Sequence, residues 1–152
     1  MGIHVLRKTQ IINTDIRTAW EFFSNPANLA KITPRELDFV VITKLPERIY
    51  PGLMIEYRVR PLFGIPARWL TEITHVGDGK FFVDEQRVGP YKIWHHEHHF
   101  KDLGDGRVEA TDIVTYVIPF GILGEIVRPF LVEPQLKKIF DFRETAVATL
   151  FP

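Results

Sequence analysis

The chain has 152 residues, 45% of them hydrophobic and 25% charged, with Lys plus Arg and Asp plus Glu both at 19. That size and composition suit one domain over residues 1–152 with a substantial core, and the balanced charge leaves no net positive field to draw nucleic acid or an anionic membrane. Cysteine is absent, which excludes disulfides, thiolate metal sites and a cysteine nucleophile.

The residues from Met1 to Arg7 lack a basic stretch followed by a long apolar one, and no window is apolar and long enough to span a bilayer. A cytoplasmic protein with no integral membrane segment is the expectation. Ile3 to Asn13 reads as an opening strand, with Val5, Arg7, Thr9 and Ile11 alternating against Leu6, Lys8, Gln10 and Ile12. Thr14-Asp15 then offers an N-cap, and Ile16, Ala19, Trp20 and Phe23 recur at helical spacing until Ser24-Asn25-Pro26 stops the helix. A second short helix, Ala27 to Ile32, ends before Pro34. Helices this short do not stand alone, so both must pack on a sheet.

Strands follow over Leu37 to Thr43, Met54 to Arg60, Ala67 to His75 and Lys80 to Val88, separated by Pro46, Pro51-Gly52, Pro61, Gly64, Pro66 and Gly77-Asp78-Gly79. Tyr91 to Phe100 and Arg107 to Val117 complete the set, and the short connections imply an antiparallel meander. Beyond Leu123 the pattern changes. Ile126, Val127 and Phe130 precede Pro134, after which Leu136, Ile139, Phe140, Val147 and Leu150 recur at helical spacing. Pro134 suits the first turn of that last helix, while Pro129 should kink or interrupt whatever comes before it.

Four of the six histidines fall between Trp94 and Phe100. Alternation along a strand puts Trp94, His96, His98 and Phe100 on one face and Ile93, His95, Glu97 and His99 on the other. If Asp102 pairs with Gly106 across a three-residue loop, Phe100 faces Val108, His98 faces Ala110, His96 faces Asp112 and Trp94 faces Val114. The even-numbered face then gathers the apolar residues of both strands and must be the buried one, bringing His96, His98 and Asp112 inside with Asp84 and Gln86 nearby. An imidazole paired with a carboxylate in such a place can move protons, so His96, His98 and Asp112 are the catalytic candidates. A buried His–Asp bond also satisfies itself without chemistry, and that structural reading is preferred. Histidines two apart on a strand, inner or outer, do not by spacing alone separate a metal site from coincidence. No metal and no cofactor is therefore expected.

The order of elements gives an α+β fold: a curved seven-stranded antiparallel sheet wrapped around a long C-terminal helix, with two short helices between strands one and two. A helix laid along the concave side rarely fills it, so a pocket is expected under it. This order resembles the START-like, birch-pollen-allergen-like helix-grip superfamily of polyketide cyclases, dehydrases and lipid carriers, over essentially the whole chain. The stretches Phe82 to Gln86 and Gly89-Pro90-Tyr91, then Trp94, His96, His98 and Phe100, then Asp112, Tyr116, Pro119 to Gly124 and Ile139 to Arg143 are similar to a bacterial subgroup of small members. The resemblance implies an apolar cavity near the start of the last helix and no single reaction. Members with Rieske clusters need cysteine ligands this chain lacks.

The expected ligand-binding set is Tyr57, Trp69, Phe82, Asp84, Gln86, Trp94, His96, His98, Asp112, Tyr116 and Phe130, facing a hydrophobic small molecule such as a lipid, isoprenoid or polyketide. Trp20 and Phe23 read as core, and Arg58, Arg60, Arg68 and Arg87 as solvated face. One alternative is a cyclase, dehydratase or isomerase using a His–Asp pair, and another is an interaction module like the superfamily's co-chaperones. The apolar run from Val117 to Leu123 reads as packing under the first helices, or as a lid, a membrane-touching tip or a homodimer contact.

Overall fold

In a computed structural model that describes all 152 residues, the elements run β1 (His4–Ile12), α1 (Ile16–Phe23), 3₁₀ turns at Pro26–Ile32 and Arg35–Leu37, β2 (Val40–Val41), β3 (Met54–Leu62), β4 (Ile65–Gly77), β5 (Phe81–Val88), β6 (Ile93–Asp102), β7 (Val108–Val117) and α2 (Gly121–Leu150). All seven strands lie in one antiparallel sheet of order β1-β7-β6-β5-β4-β3-β2, so the first strand closes against the last. Register breaks in the β3–β4 and β4–β5 pairs are the places where extra residues bend and twist a strand. The helix-grip architecture expected from the element order is the one observed.

Three expectations need correction. The second strand is only Val40–Val41, because Arg35–Leu37 turns as 3₁₀ and Asp38 takes a left-handed conformation with φ of 45°. Proline does not break the last helix either. α2 runs continuously from Gly121 through Pro129 and Pro134 to Leu150. Both prolines are exposed, so the carbonyls they leave unpaired one turn back can be hydrated, which keeps the cost of each low enough for packing further along to hold the helix.

The third correction concerns register. Asp102 pairs with Val108 rather than Gly106, which makes Phe100 face Ala110, His98 face Asp112, His96 face Val114 and Trp94 face Tyr116. Gly104 and Gly106 both have positive φ, 79° and 77°, and use a longer turn than the three-residue loop expected, closed by Leu103 N–H donating to the Arg107 carbonyl. A slip of two residues restores every side chain to its own face. The inward set therefore stands although each partner changed.

Buried residues form two main clusters. Around Trp20, which meets Phe82 and Phe100 edge-on, α1 packs on the sheet with Ile55, Ile73 and Val108. Val114, Tyr116 and Ile118 pack with Leu136 and Phe140 of α2. Asp15 caps α1, its Oδ1 accepting from Thr18 N–H at 3.0 Å.

At its start α2 approaches the preceding turn so closely that a Cβ on Gly124 would overlap the Pro119 carbonyl oxygen. Because that obstacle is backbone, Gly124→Ala should displace the first turns of α2 and destabilise the fold by about 1–3 kcal/mol. Urea denaturation measures it; an unchanged midpoint would mean that the turn yields freely.

Candidate functional site

The two clusters hold the ends of the concave face and leave its middle open. Between the sheet and α2 lies a cavity of 410 Å³, with 24 of its 38 lining residues hydrophobic. Ile55, Tyr57 and Val59 of β3, Trp69 and Ile73 of β4, and Leu131, Leu136 and Ile139 of α2 are among them. Toward one end the lining passes to Pro61, Leu62, Pro90, Phe120 and Val127. Phe120 is exposed there, as are Ile122 and Leu123 beside it, while Val117 and Ile118 are buried. The apolar run therefore splits between packing and surface.

Polar groups gather on one wall, and the sheet register explains why. Asp84 of β5 stands opposite His96 of β6, and His98 stands opposite Asp112 of β7, so the four side chains step across three neighbouring strands. Bonds run between diagonal neighbours on adjacent strands. His96 Nε2 donates to Asp112 Oδ1 at 2.8 Å, and His98 Nε2 donates to Asp84 Oδ2 at 2.6 Å. His98 Nδ1 lies 3.1 Å from the same Asp112 oxygen, and His96 Nδ1 lies 3.8 Å from Asp84 Oδ2. The imidazoles stack at 3.7 Å between centroids, and Phe82 covers the outer face of His98 at 4.0 Å.

Arg143 of α2 completes the group, its Nη2 at 3.4 Å from Asp112 Oδ1 and 3.3 Å from His98 Nδ1. Burial pushes the pKa of both carboxyls up, but the bonded His98 and the nearby charges hold Asp84 below its ordinary value, and Arg143 with both imidazoles holds Asp112 well below. Burial likewise pulls both histidines down. In His98 the bonds to Asp112 and Asp84 outweigh it and the pKa is raised; in His96 burial and the neighbouring His98 charge win and it is lowered. The two buried carboxylates thereby find partners in the Arg143 guanidinium and the two imidazoles. The tyrosines behave as buried phenols. Burial pushes Tyr57 and Tyr91 up, and Tyr57 shares a 2.9 Å hydrogen bond with Thr71.

Of the expected ligand-binding set, Tyr57, Trp69, Phe82, Asp84, Trp94, His96 and His98 line the cavity. Asp112 sits behind the imidazoles and faces a second, much smaller space bounded by Lys8, Gln10 and Glu144. The remaining three lie elsewhere. Gln86 braces the β5–β6 turn through both the N–H and the carbonyl of Tyr91, Tyr116 is packed among α2 side chains, and Phe130 is 76% exposed. Phe23, expected as core, lines the cavity. Arg58, Arg60, Arg68 and Arg87 pair on the outside with Asp38, Glu56, Glu72 and Glu85. The outer His95 and His99 bond Glu85 and Glu97. Arg143 was missed as a site residue, though it falls three residues after Phe140 and four before Val147, on the buried stripe of α2.

No family model and no curated protein matches the chain. Solved structures do. An aromatase/cyclase, Zhui, from Streptomyces sp. R1128 superposes with TM-score 0.75 at 14% identity, covering 98% of this chain and 93% of that one. Ginseng major latex-like protein 151 from Panax ginseng gives 0.71 at 13% identity over 98% and 97%. A START superfamily protein from Mycobacterium smegmatis gives 0.69 at 13% over 97% and 99%. These likenesses establish the helix-grip fold across the chain. No helix is long and apolar enough to cross a membrane.

Removing Arg143 should leave Asp112 buried without its cation, so Arg143→Leu is expected to cost about 3–5 kcal/mol in denaturant unfolding. A loss within measurement error would mean that Asp112 is hydrated. A raised His98 pKa stabilises the fold below its unfolded value of 6.5, an advantage lost as pH climbs through the folded value; the lowered His96 pKa works oppositely, its cost appearing as pH falls below 6.5. At pH 6.5 side-chain nitrogen NMR should therefore find His98 protonated and His96 neutral, and the reverse order would refute the assignment.

Proposed function

We propose that this chain binds a hydrophobic small molecule, such as a lipid, isoprenoid or polyketide-like ring system, inside the cavity, as a carrier or sequestering protein. The observation that supports it is 410 Å³ of mostly apolar space with its charged groups confined to one wall, a size and lining that suit small-molecule pockets. The ligand is amphipathic: an apolar body lies along Ile55, Ile73 and Leu131, and a polar end faces Asp84, His96 and His98. Entry is beside Phe120 and Val127, where apolar side chains continue from the lining onto the surface.

A second reading is favoured by the imidazole–carboxylate diagonals on that same wall. A ligand whose polar end meets His96 or His98 is within reach of a proton donor or acceptor, which suits a cyclase, dehydratase or isomerase. The aromatase/cyclase among the similar structures is consistent with it. Once a turning-over ligand is in hand, loss of the essential imidazole should slow the reaction by about 100- to 10,000-fold.

Native mass spectrometry of the freshly purified protein should detect an apolar adduct that solvent extraction removes. Ile139→Trp, which places an indole in the cavity, should weaken rebinding by about tenfold or more while circular dichroism stays unchanged. Equal rebinding by this variant would show that the ligand sits elsewhere and overturn the proposal.

A further inference from the structure

We infer that Asp84, His96 and His98 form a mononuclear site for a divalent transition metal of the zinc class, with an open position facing the apolar cavity. Spacing along β6 alone could not support this, because histidines two apart occur on any strand. The geometry adds three independent features.

The first is convergence across two strands. One ligand-type atom from each residue lies within 4.8 Å of the other two, and all three residues line the cavity. Asp84 Oδ2 is 2.6 Å from His98 Nε2 and 3.8 Å from His96 Nδ1. Metal–ligand bonds of about 2.0–2.2 Å set tetrahedral ligand atoms about 3.3 Å apart. One contact must open and the other close by less than an ångström, within the reach of side-chain rotation.

The second feature is how the remaining nitrogens are held. His96 Nε2 and His98 Nδ1, the atoms turned away from Asp84, both meet Asp112 Oδ1, at 2.8 Å and 3.1 Å. An outer carboxylate that takes the far N–H of a histidine fixes its tautomer and leaves the near nitrogen bare for a metal. Asp112 does so for His96, whereas His98 gives its Nε2 proton to Asp84 and would release it on binding the metal. The charge of Asp112 is met by Arg143 at 3.4 Å, which also approaches His98 Nδ1 at 3.3 Å. Here the carboxylates are divided, with Asp84 inside and Asp112 outside.

The third feature is the ligand count. Three protein ligands leave a fourth place for water or a ligand oxygen, the arrangement of open zinc sites. Imidazole with carboxylate suits zinc, and also cobalt and nickel, whereas a thiolate-preferring ion finds no cysteine here. This inference does not depend on the apolar-ligand reading: the metal can bind whatever fills the cavity.

The outer histidines supply the necessary control. His95 and His99 lie on the opposite face with Glu85 and Glu97, where ions are caught incidentally, so the test uses the full chain carrying His95→Ala and His99→Ala. After chelator treatment, zinc titrated by calorimetry should bind one ion per chain at micromolar concentration, and cobalt should give visible absorption bands. Asp84→Asn on this background should abolish that binding. Asp112→Asn should weaken it by about 10- to 100-fold, with circular dichroism confirming that the metal-free variants are folded. If either variant unfolds, side-chain nitrogen NMR of the parent decides: zinc should move His96 Nδ1 and His98 Nε2 and spare His4 and His75. No stoichiometric binding by the parent, binding indifferent to Asp84→Asn, or zinc shifts confined to other histidines would each overturn the site.

Discussion

The charged cluster on the sheet's inner face is the constraint from which the cavity follows. Asp84, His96, His98 and Asp112 occupy the centre of a surface that α2 would otherwise cover with apolar side chains. Burying them under leucine or isoleucine alone would leave two carboxylates in the interior with no partner beyond the imidazoles and no cation from the helix. α2 answers with one long cation. Arg143 reaches Asp112 and His98 while its guanidinium rests 5.7 Å above the Phe23 ring, and the helix stands off the sheet where no such partner is offered.

Packing at the two ends makes that stand-off stable. Trp20 wedges α1 against Phe82 and Phe100 at one end, and Leu136 and Phe140 press α2 onto Val114 and Tyr116 at the other. Ile12, Ile32 and Val147 add a third contact that ties β1 to the far end of α2. Salt links from Lys8 to Asp141 and Glu144 stitch the helix to the edge of the same strand. With both ends fixed, the middle has no route to collapse. Its open volume is a property of the scaffold, which is why it supports a binding role irrespective of the ligand.

The face on which each histidine lies was legible in the sequence because strand periodicity is two and a register error of two changes nothing about faces. The partners themselves were not, since loop length depended on Gly104 and Gly106 turning left-handed. Proline signals misled about α2, which continues through Pro129 and Pro134 on its exposed side. Seven of the eleven expected ligand residues line the cavity, those set by strand alternation near its middle. Gln86 was lost where β5 gives way to the turn, and Phe130 to an unpredicted helical turn that points it outward. Arg143 was readable as a cation on an apolar stripe, but its meaning appears only once the aspartate opposite it is known.

A crystal of the solvent-extracted protein pressurised with xenon tests the account most directly, because dry apolar cavities take up xenon whereas filled or collapsed ones do not. Xenon density beside Ile55, Ile73 and Leu131, absent beside Asp84 and His98, is the predicted result. A xenon-free interior with α2 lying directly against those strands would contradict it.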